Sequence, residues 1–304
     1  MTIQVQSPGM FTTVQDLGRY GYGPVGVSPS GAADPLSLRL GNLLVGNLES
    51  DAALEMTLLG GTFVFAESAL IALGGADFDA SIPMWAAHRV QAGETVKVGG
   101  ARSGARCYLC VHGGIAVKPL LGSASTHILT GLGGFEGRAL KKGDVLRIGE
   151  ARSARPLTMP QHVLKRLKQR KSLRTTIAPQ TRWFSSQSVR TFFTNAYTVT
   201  DDSNRMGLRL QGPALDTPQR GHMISEGVSL GAIQIPAGGK PIILFVEQQT
   251  TGGYPKIANV ISADLPSLGQ LRPRDEVRFE LVTPEAARAF IRDQEELIVN
   301  LKSM

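Results

Sequence analysis

A dense group of polar residues follows a purely hydrocarbon stretch in the second half of the chain. Residues 242–246 predict a strand, and residues 247–256 then supply an acid, two amides, two hydroxyls, a glycine pair, an aromatic residue and a lysine. Barrels often bind ligands where polar side chains gather at the end of a strand, at the opening of the barrel. Glycines there let a ligand approach the backbone. We therefore expect a pocket in which Lys256 holds an anionic group, such as a carboxylate or phosphate, and Glu247 accepts a proton. The expected substrate-binding residues of this loop are Gln249, Thr250, Gly252, Gly253 and Tyr254.

Two loops near the N-terminus supply a second set of polar residues. Residues 15–19 and 28–34 place carboxylates, hydroxyls, an arginine and glycines within a short span, as in an anion or carbonyl site. The predicted substrate-binding residues are Asp16, Arg19, Ser30 and Asp34, and Arg19 is expected to hold an anionic group. Turn and cap chemistry also selects Asp, Ser and Gly, and the glycine pair after residue 251 equally fits a plain turn, so a structural interpretation stays open for both regions.

Several familiar site motifs are incomplete. The glycines at 21–26 have dinucleotide spacing, but Pro24 interrupts them and no helix is predicted to follow. Residues 238–240 lack the first glycine and the hydroxyl residue of a phosphate loop. Cys107 and Cys110 lie three apart on a predicted strand and so face opposite sides, while the histidines are scattered singly. The sequence therefore predicts buried structural cysteines and no metal site.

The net positive charge of the chain comes from one stretch. The 304 residues carry a formal charge of +7, but residues 151–200 contain ten Lys or Arg and no acid, which leaves 22 basic against 25 acidic residues elsewhere. Stacking aromatics do not interleave the run at 161–171, so we expect a solvated linker and no nucleic-acid partner. No apolar run reaches the roughly 18 residues of a membrane helix and no secretory pattern opens the chain, which predicts a cytoplasmic protein without membrane contact.

Internal echoes in the sequence predict a duplicated fold. Six residues between Glu55 and Ile71 have counterparts 171 positions later, and residues 140–148 have counterparts 131 positions later. A shorter echo joins 13–21 to 198–207. Self-similarity over much of a chain favours two like domains, and such pairs form clefts where sites tend to lie.

Short β-rich runs closed by turn residues dominate both halves, so the sequence predicts a mainly β fold of two fused, duplicated β-barrels with a few short helices. One helix is expected after the cap Asp34 and another after Thr283. The predicted domains are a first barrel at 1–150 with an inserted helix near 34–46, a basic linker at 151–172, a second barrel at 173–283 and a C-terminal helix at 284–304.

Five segments of the chain resemble one protein family. They are 13–19, 30–34, 41–47, 202–207 and 249–255, and they read TVQDLGR, SGAAD, GNLLVGN, DSNRMG and QTTGGYP. These segments are similar to the family of the 5-oxoprolinase C subunit, also called KipA, allophanate hydrolase subunit 2 or the biotin-dependent carboxyltransferase domain. The likeness extends from Val5 to Val282, and it implies cyclophilin-like β-barrels. It also implies partners, namely a KipI-like B subunit and, in the oxoprolinase, a third or A subunit.

The chemistry of this family is not uniform, and the resemblance implies three alternatives. In the bacterial oxoprolinase the complex opens 5-oxoproline to L-glutamate with ATP hydrolysis, whereas in urea amidolyase the similar domain moves a carboxyl group from carboxybiotin to urea. The chain shows no biotin-accepting Met-Lys site and no ATP-grasp module, which favours the separate oxoprolinase subunit. ATP is then the expected cofactor of the complex, and biotin is expected only under the carboxyltransferase alternative. The third alternative is a KipA-like regulator that only sequesters a KipI-like partner.

Overall fold

The computed structural model describes residues 1–153, 155–216 and 223–303. The described chain is mainly β, as predicted, and it separates into two compact units. The first unit contains Met1–Arg19 and Ser30–Lys168, and the second contains Tyr20–Pro29 and Gln169–Met304. Residues 20–29 thus group with the second unit, and most of the stretch expected as a linker groups with the first.

The first unit consists of two antiparallel sheets around one hydrophobic core. Its strands are β1 (Thr2–Ser7), β2 (Phe11–Gln15), β3 (Ala53–Thr57), β4 (Thr62–Phe65), β5 (Ala69–Gly75), β6 (Phe78–Ala80), β7 (Ala87–Val90), β8 (Thr95–Ala101), β9 (Arg106–Val111), β10 (Ile115–Ala116) and β11 (Val145–Ile148). One sheet has the order β10-β11-β1-β4-β8-β6 and the other β2-β3-β9-β5-β7. The described strands of this unit therefore form two sheets, where the sequence predicted a barrel.

Helix α1 (Pro35–Leu44) covers β5 and β9, and a second, short helix, α2, spans Gln161–Arg166. Asp34 caps α1 as predicted, because its carboxylate accepts a hydrogen bond from Ser37 N at 3.0 Å. A Cβ atom at Gly41 would lie 2.8 Å from Cys110 Sγ, so the helix can approach the sheet closely only with glycine at this position. Cys107 faces the core instead, and both cysteines are buried and free, as expected.

The second unit closes a seven-stranded barrel with the order β12-β19-β16-β17-β14-β13-β20. Its strands are β12 (Ser172–Ile177), β13 (Tyr197–Val199), β14 (Gly207–Gln211), β16 (Ala232–Gln234), β17 (Ile242–Leu244), β19 (Lys256–Val260) and β20 (Glu276–Leu281), with β15 (Glu226–Gly227) and β18 (Thr251–Gly252) as a separate ribbon. Strand β20 returns parallel to β12 and so completes the ring. The helices are α3 (Ser186–Thr194), α4 (Leu265–Gly269) and α5 (Pro284–Lys302).

Helix α3 was not predicted, because its sequence is rich in Ser, Thr and Gln and offers few apolar residues at helical spacing. It forms here because Ser185 caps it and because Phe192 is buried against the barrel. The rings of Phe192 and Phe279 stack with centroids 4.4 Å apart. Tertiary packing therefore decides the conformation of this segment.

Part of the basic stretch is anchored to the first unit, although most of its residues are exposed. Met159 and Val163 are buried, and Thr158 forms a backbone bridge with Ala86. Further along, Arg174 forms an ion pair with Asp264, whose side chain is fully buried. Some of the basic residues therefore lie on a segment that is held in place by contacts with the rest of its unit.

One of the three sequence echoes recurs in the local geometry. Lys141 N donates to Asp144 Oδ2 at 2.7 Å, and Arg272 N donates to Asp275 Oδ2 at 2.9 Å, so the same turn precedes β11 and β20. The residue before each aspartate has a positive φ, of 93° and 73°. The echo at an offset of 171 is not reproduced in strand pairing, because β4 and β5 belong to different sheets whereas the corresponding β16 and β17 are neighbours.

Two fully buried tyrosines differ in the hydrogen bonding of the hydroxyl oxygen. Removing that oxygen is therefore expected to change the free energy of unfolding differently at the two positions. Tyr108 Oη donates to Glu55 Oε2 at 2.7 Å and accepts from Asp34 N at 2.8 Å, whereas Tyr197 Oη has no hydrogen-bond partner among the described residues. We expect Tyr108→Phe to lower the free energy of unfolding by about 1–3 kcal/mol, and Tyr197→Phe to leave it unchanged or raise it. Urea denaturation of both variants measures this difference, and similar losses in both would contradict it.

Candidate functional site

The second unit contains a cavity of about 850 Å³, a volume typical of small-molecule sites. Pro24, Ile177, Pro179 and Val228 give it an apolar wall. Its polar lining residues are Glu226, Ser229, Thr250, Thr251, Lys256 and Asn259. Two of the residues predicted from the sequence, Thr250 and Lys256, therefore lie on this cavity.

Lys256 is the one cation among the described residues that line the cavity. Its side chain is 6% exposed, and its ammonium forms an ion pair with Glu226 Oε1, on a side chain that is 45% exposed. Gln180 Nε2 donates to the same oxygen at 2.9 Å. The hydrogen bond from Lys256, supported by that from Gln180, holds the pKa of Glu226 below its usual value, so this carboxyl is ionised at neutral pH.

An irregularity in strand pairing positions Lys256. Ile233 pairs with Ala258 and Gln234 pairs with Lys256, so Ile257 is an extra residue in β19. Bulges of this kind bend a strand and redirect side chains, and they are frequent next to active sites. Thr181 Oγ1 donates to Ile257 O at 2.6 Å, which holds the turn that carries Gln180 against the bulge.

The ribbon of β15 and β18 supplies the facing polar residues. Glu226 pairs with Gly252, and Gly227 pairs with Thr251. A Cβ atom at Gly252 would lie 2.5 Å from Gln234 Nε2, so a side chain there would collide with a buried amide. Close packing therefore explains why this position is a glycine. The role of Gly252 in substrate binding stays a prediction.

Other residues predicted in this loop are not among the described residues that line the cavity. Glu247 forms a buried ion pair with Arg205, with side chains 1% and 8% exposed. Gln249 Nε2 donates to Gln234 Oε1 at 3.4 Å, and Tyr254 is half-exposed. A Cβ atom at Gly253 would lie 3.4 Å from the nearest described atoms. The roles of Glu247 as proton acceptor and of Gln249, Gly253 and Tyr254 in binding stay predictions.

The candidates of the first unit belong to a buried hydrogen-bond network. The Asp16 carboxylate accepts four hydrogen bonds of 2.5–2.7 Å, two from serine hydroxyls and two from backbone N–H groups. Arg19 donates to the backbone oxygen of Ser125, and Ser30 Oγ donates to that of Thr126 at 2.8 Å. The structure therefore brings three of these four candidates together, as groups that join distant segments of the unit.

Asp34, the fourth candidate, lies in a separate buried cluster. Its carboxylate caps α1, and its N–H donates to Tyr108 Oη, which in turn donates to Glu55. Burial, and next the Glu55 carboxylate, hold the pKa of Tyr108 well above its usual range, so the hydroxyl remains a donor. The structure assigns Asp34 a capping contact, and its predicted role in binding stays a prediction.

Sequence reasoning missed Glu226, Gln180 and Asn259. Glu226 entered the sequence analysis only as a member of a repeat, since it stands beside no other polar motif. Gln180 lies 76 positions before the lysine whose backbone N–H approaches it, so no local pattern links the two. The β15–β18 ribbon, the turn after β12 and strand β19 bring these residues to one place.

Metal-binding clusters and membrane-spanning helices are absent from the described part of the chain. Residues 1–153, 155–216 and 223–303 contain no group of three or more His, Cys, Asp or Glu that could hold a metal ion. His222, one of the five histidines, lies outside the described residues. Within the same ranges, no helix has both the length and the apolar character needed to cross a membrane.

Comparison with known proteins gives one consistent result. A family model described as the carboxyltransferase domain, subdomain A and B, matches residues 25–281. The chain is 37% identical to the 5-oxoprolinase C subunit of Haemophilus influenzae, over 93% of this chain and 92% of that protein. It is 38% identical to the 5-oxoprolinase C subunit of Escherichia coli, over 96% of this chain and 95% of that protein. It also matches the crystal structure of the Kluyveromyces lactis urea carboxylase with a TM-score of 0.93 and 33% identity, over 99% of this chain and 29% of that chain.

Proposed function

This chain belongs to the carboxyltransferase domain family, and on that premise we propose that it is one of the subunits of an ATP-dependent 5-oxoprolinase. In this proposal it opens 5-oxoproline to L-glutamate together with the A and B subunits, in the cytoplasm. Two relatives named as the C subunit of 5-oxoprolinase, each matched over more than nine-tenths of its length, support it. The family contains more than one reaction, so we infer the substrate from the geometry of the site.

The observation that carries the proposal is the ion pair of Lys256 and Glu226 at the cavity of the second unit. 5-Oxoproline is a small ring with an amide edge and apolar methylenes, and it needs a polar anchor beside an apolar wall. Lys256 supplies the anchor, and Ile177, Pro179 and Val228 supply the wall. An ammonium beside a carbonyl oxygen stabilises negative charge that develops there.

The cavity does not fit the triphosphate of ATP. Phosphate sites gather several cations, backbone N–H groups or metal-binding carboxylates. Among the described lining residues, Lys256 is the one cation and Glu226 already neutralises it. We therefore propose that ATP binds to a partner in the complex.

A carboxyltransferase that acts on urea or a related amide is the second candidate function. It is supported by the match to urea carboxylase, whose chain is about three times longer than the part that this protein covers. Biotin would then be the cofactor of the complex. The same cavity would serve, because urea also presents an amide edge to Lys256 and Glu226.

Reconstitution tests both functions. We expect the purified chain alone to be inactive on 5-oxoproline, because the sequence contains no complete nucleophile or phosphate-loop motif, and we expect ATP-dependent turnover after the A and B subunits are added. Glutamate release and phosphate release measure the first reaction, and carboxylation of urea with carboxybiotin as the carboxyl donor measures the second. Turnover by the isolated chain contradicts the proposed dependence on partners, and inactivity of the complete complex on 5-oxoproline contradicts the substrate.

A further inference from the structure

Two adjacent polar atoms at the cavity have hydrogen-bonding capacity to spare. Lys256 Nζ carries three protons, and among the described residues its one hydrogen bond goes to Glu226 Oε1. Gln180 donates to that same oxygen, so Glu226 Oε2 receives no hydrogen bond from the residues that the structure describes. The ion pair therefore offers a donor and an acceptor side by side, on residues that line the cavity.

A donor beside an acceptor matches one edge of an amide in cis geometry. In a lactam the N–H and C=O groups point to the same side, and a urea offers the same edge. An ordinary trans amide points them in opposite directions and meets only one of the two atoms. We propose that Lys256 and Glu226 together recognise the cis-amide edge of the substrate, with Lys256 donating to the carbonyl oxygen and Glu226 Oε2 accepting from the N–H.

Gln180 is the positioning residue of this arrangement. It is 5% exposed, its Nε2 binds Glu226 Oε1, and its Oε1 accepts from the backbone N–H of Lys256 at 3.4 Å. One buried amide thus fixes both partners of the ion pair. Because it occupies Oε1, it leaves Oε2 for a ligand.

The charge of the pair also favours a neutral edge over a free carboxylate. A carboxylate that approached Lys256 would have to displace Glu226 or lie beside its like charge. An amide edge replaces neither partner, and both of its hydrogen bonds involve an ionised group, which makes them stronger than neutral ones. The carboxylate of 5-oxoproline would then point elsewhere in the cavity.

This inference rests on the proposed function, and it adds the atoms that select the substrate class. 5-Oxoproline and urea share the cis-amide edge although their reactions differ. A hydrogen bond from the amide N–H to a carboxylate raises the electron density on the amide nitrogen and oxygen. The same two residues would therefore serve either activation of the lactam oxygen or attack by a urea nitrogen.

The test uses the 304-residue chain and three small probes. These are 2-pyrrolidinone, which is a lactam, N-methyl-2-pyrrolidinone, which lacks the N–H, and N-methylacetamide, which is a trans amide. NMR titration gives their dissociation constants for the wild type, for Glu226→Met, and for Ser229→Ala as a control that changes the lining but keeps the ion pair. We expect 2-pyrrolidinone to bind about tenfold more tightly than the other two in the wild type and the control, and less than about twofold more tightly in Glu226→Met.

Three outcomes overturn the inference: equal binding of the probes by the wild type, no binding of any probe, or a preference that survives Glu226→Met. The comparison among probes is made on the wild type, so a variant that fails to fold does not remove the test. Failure of the proposed function looks different. In that case 2-pyrrolidinone keeps its Glu226-dependent preference, whereas the reconstituted complex does not turn over 5-oxoproline.

Discussion

Replacing Lys256 by methionine is expected to lower kcat/KM of the reconstituted complex for 5-oxoproline by about a hundredfold or more, which is the usual cost of removing one group that stabilises developing charge. Methionine keeps most of the buried aliphatic part of the Lys256 side chain while it removes the ammonium. Because the abandoned partner Glu226 is 45% exposed, water can solvate it, and the melting temperature should change little. Coupled assay of glutamate release, together with thermal denaturation, measures both quantities.

Lys240 provides the matched control for that variant. It is a lysine of the same unit, its Nζ donates to Gly212 O at 2.6 Å, and it is not among the described lining residues. We expect Lys240→Met to retain near-normal turnover. Equal losses of kcat/KM in the two variants, or normal turnover by Lys256→Met, would show that this cavity is not the active site. Tyr254→Ala, made in parallel, tests the role that the sequence alone predicted for this half-exposed residue.

Replacing Glu247 by leucine is expected to lower the free energy of unfolding by about 3–5 kcal/mol, because it removes the carboxylate with which the buried Arg205 forms an ion pair. Replacing both residues, in the double variant Glu247→Leu and Arg205→Met, should recover most of that loss, since apolar residues of similar volume often substitute for a buried ion pair. Urea denaturation of the single and double variants gives the two values.

The double variant also decides what Glu247 does. If Glu247 only supports the barrel, the stable double variant keeps its activity in the reconstituted complex. If Glu247 is the proton acceptor that the sequence predicted, the double variant is stable but inactive. A double variant as unstable as Glu247→Leu would contradict the structural role of the pair.

Local chemistry explains what the sequence revealed about the fold. Asp34 with Pro35 predicts a helix start because cap and first turn depend on neighbouring residues, and α1 begins there. The strand that carries Cys107 and Cys110 is predicted by its apolar run, and it is β9. Sequence echoes predicted two like units, but they did not reveal that the described strands of the first form two sheets whereas those of the second close into a barrel, because closure depends on pairing between distant strands.

Half of the central ion pair could be predicted from the sequence. Lys256 stood in a polar loop after an apolar strand, which is a local signal, and it does line the cavity. Glu226 and Gln180 carry no such signal, because the β15–β18 ribbon and the turn after β12 bring them to the lysine through long-range contacts. Glu247 had the better local signal of the two carboxylates, yet its contact with Arg205 is a long-range one that the polar loop does not encode.

The grouping of residues 20–29 with the second unit has a consequence for the order of synthesis. Gly23, Pro24 and Gly26 line the cavity, but the ribosome makes them about 150 residues before Ile177 in β12 and about 230 residues before Lys256 in β19. The cavity wall is therefore completed only by contacts of long sequence separation. A gene fragment that starts at Gln169 would encode every barrel strand and still lack this wall. Dissecting the protein into working halves therefore requires carrying residues 20–29 along with the later part, which no single cut in the gene achieves.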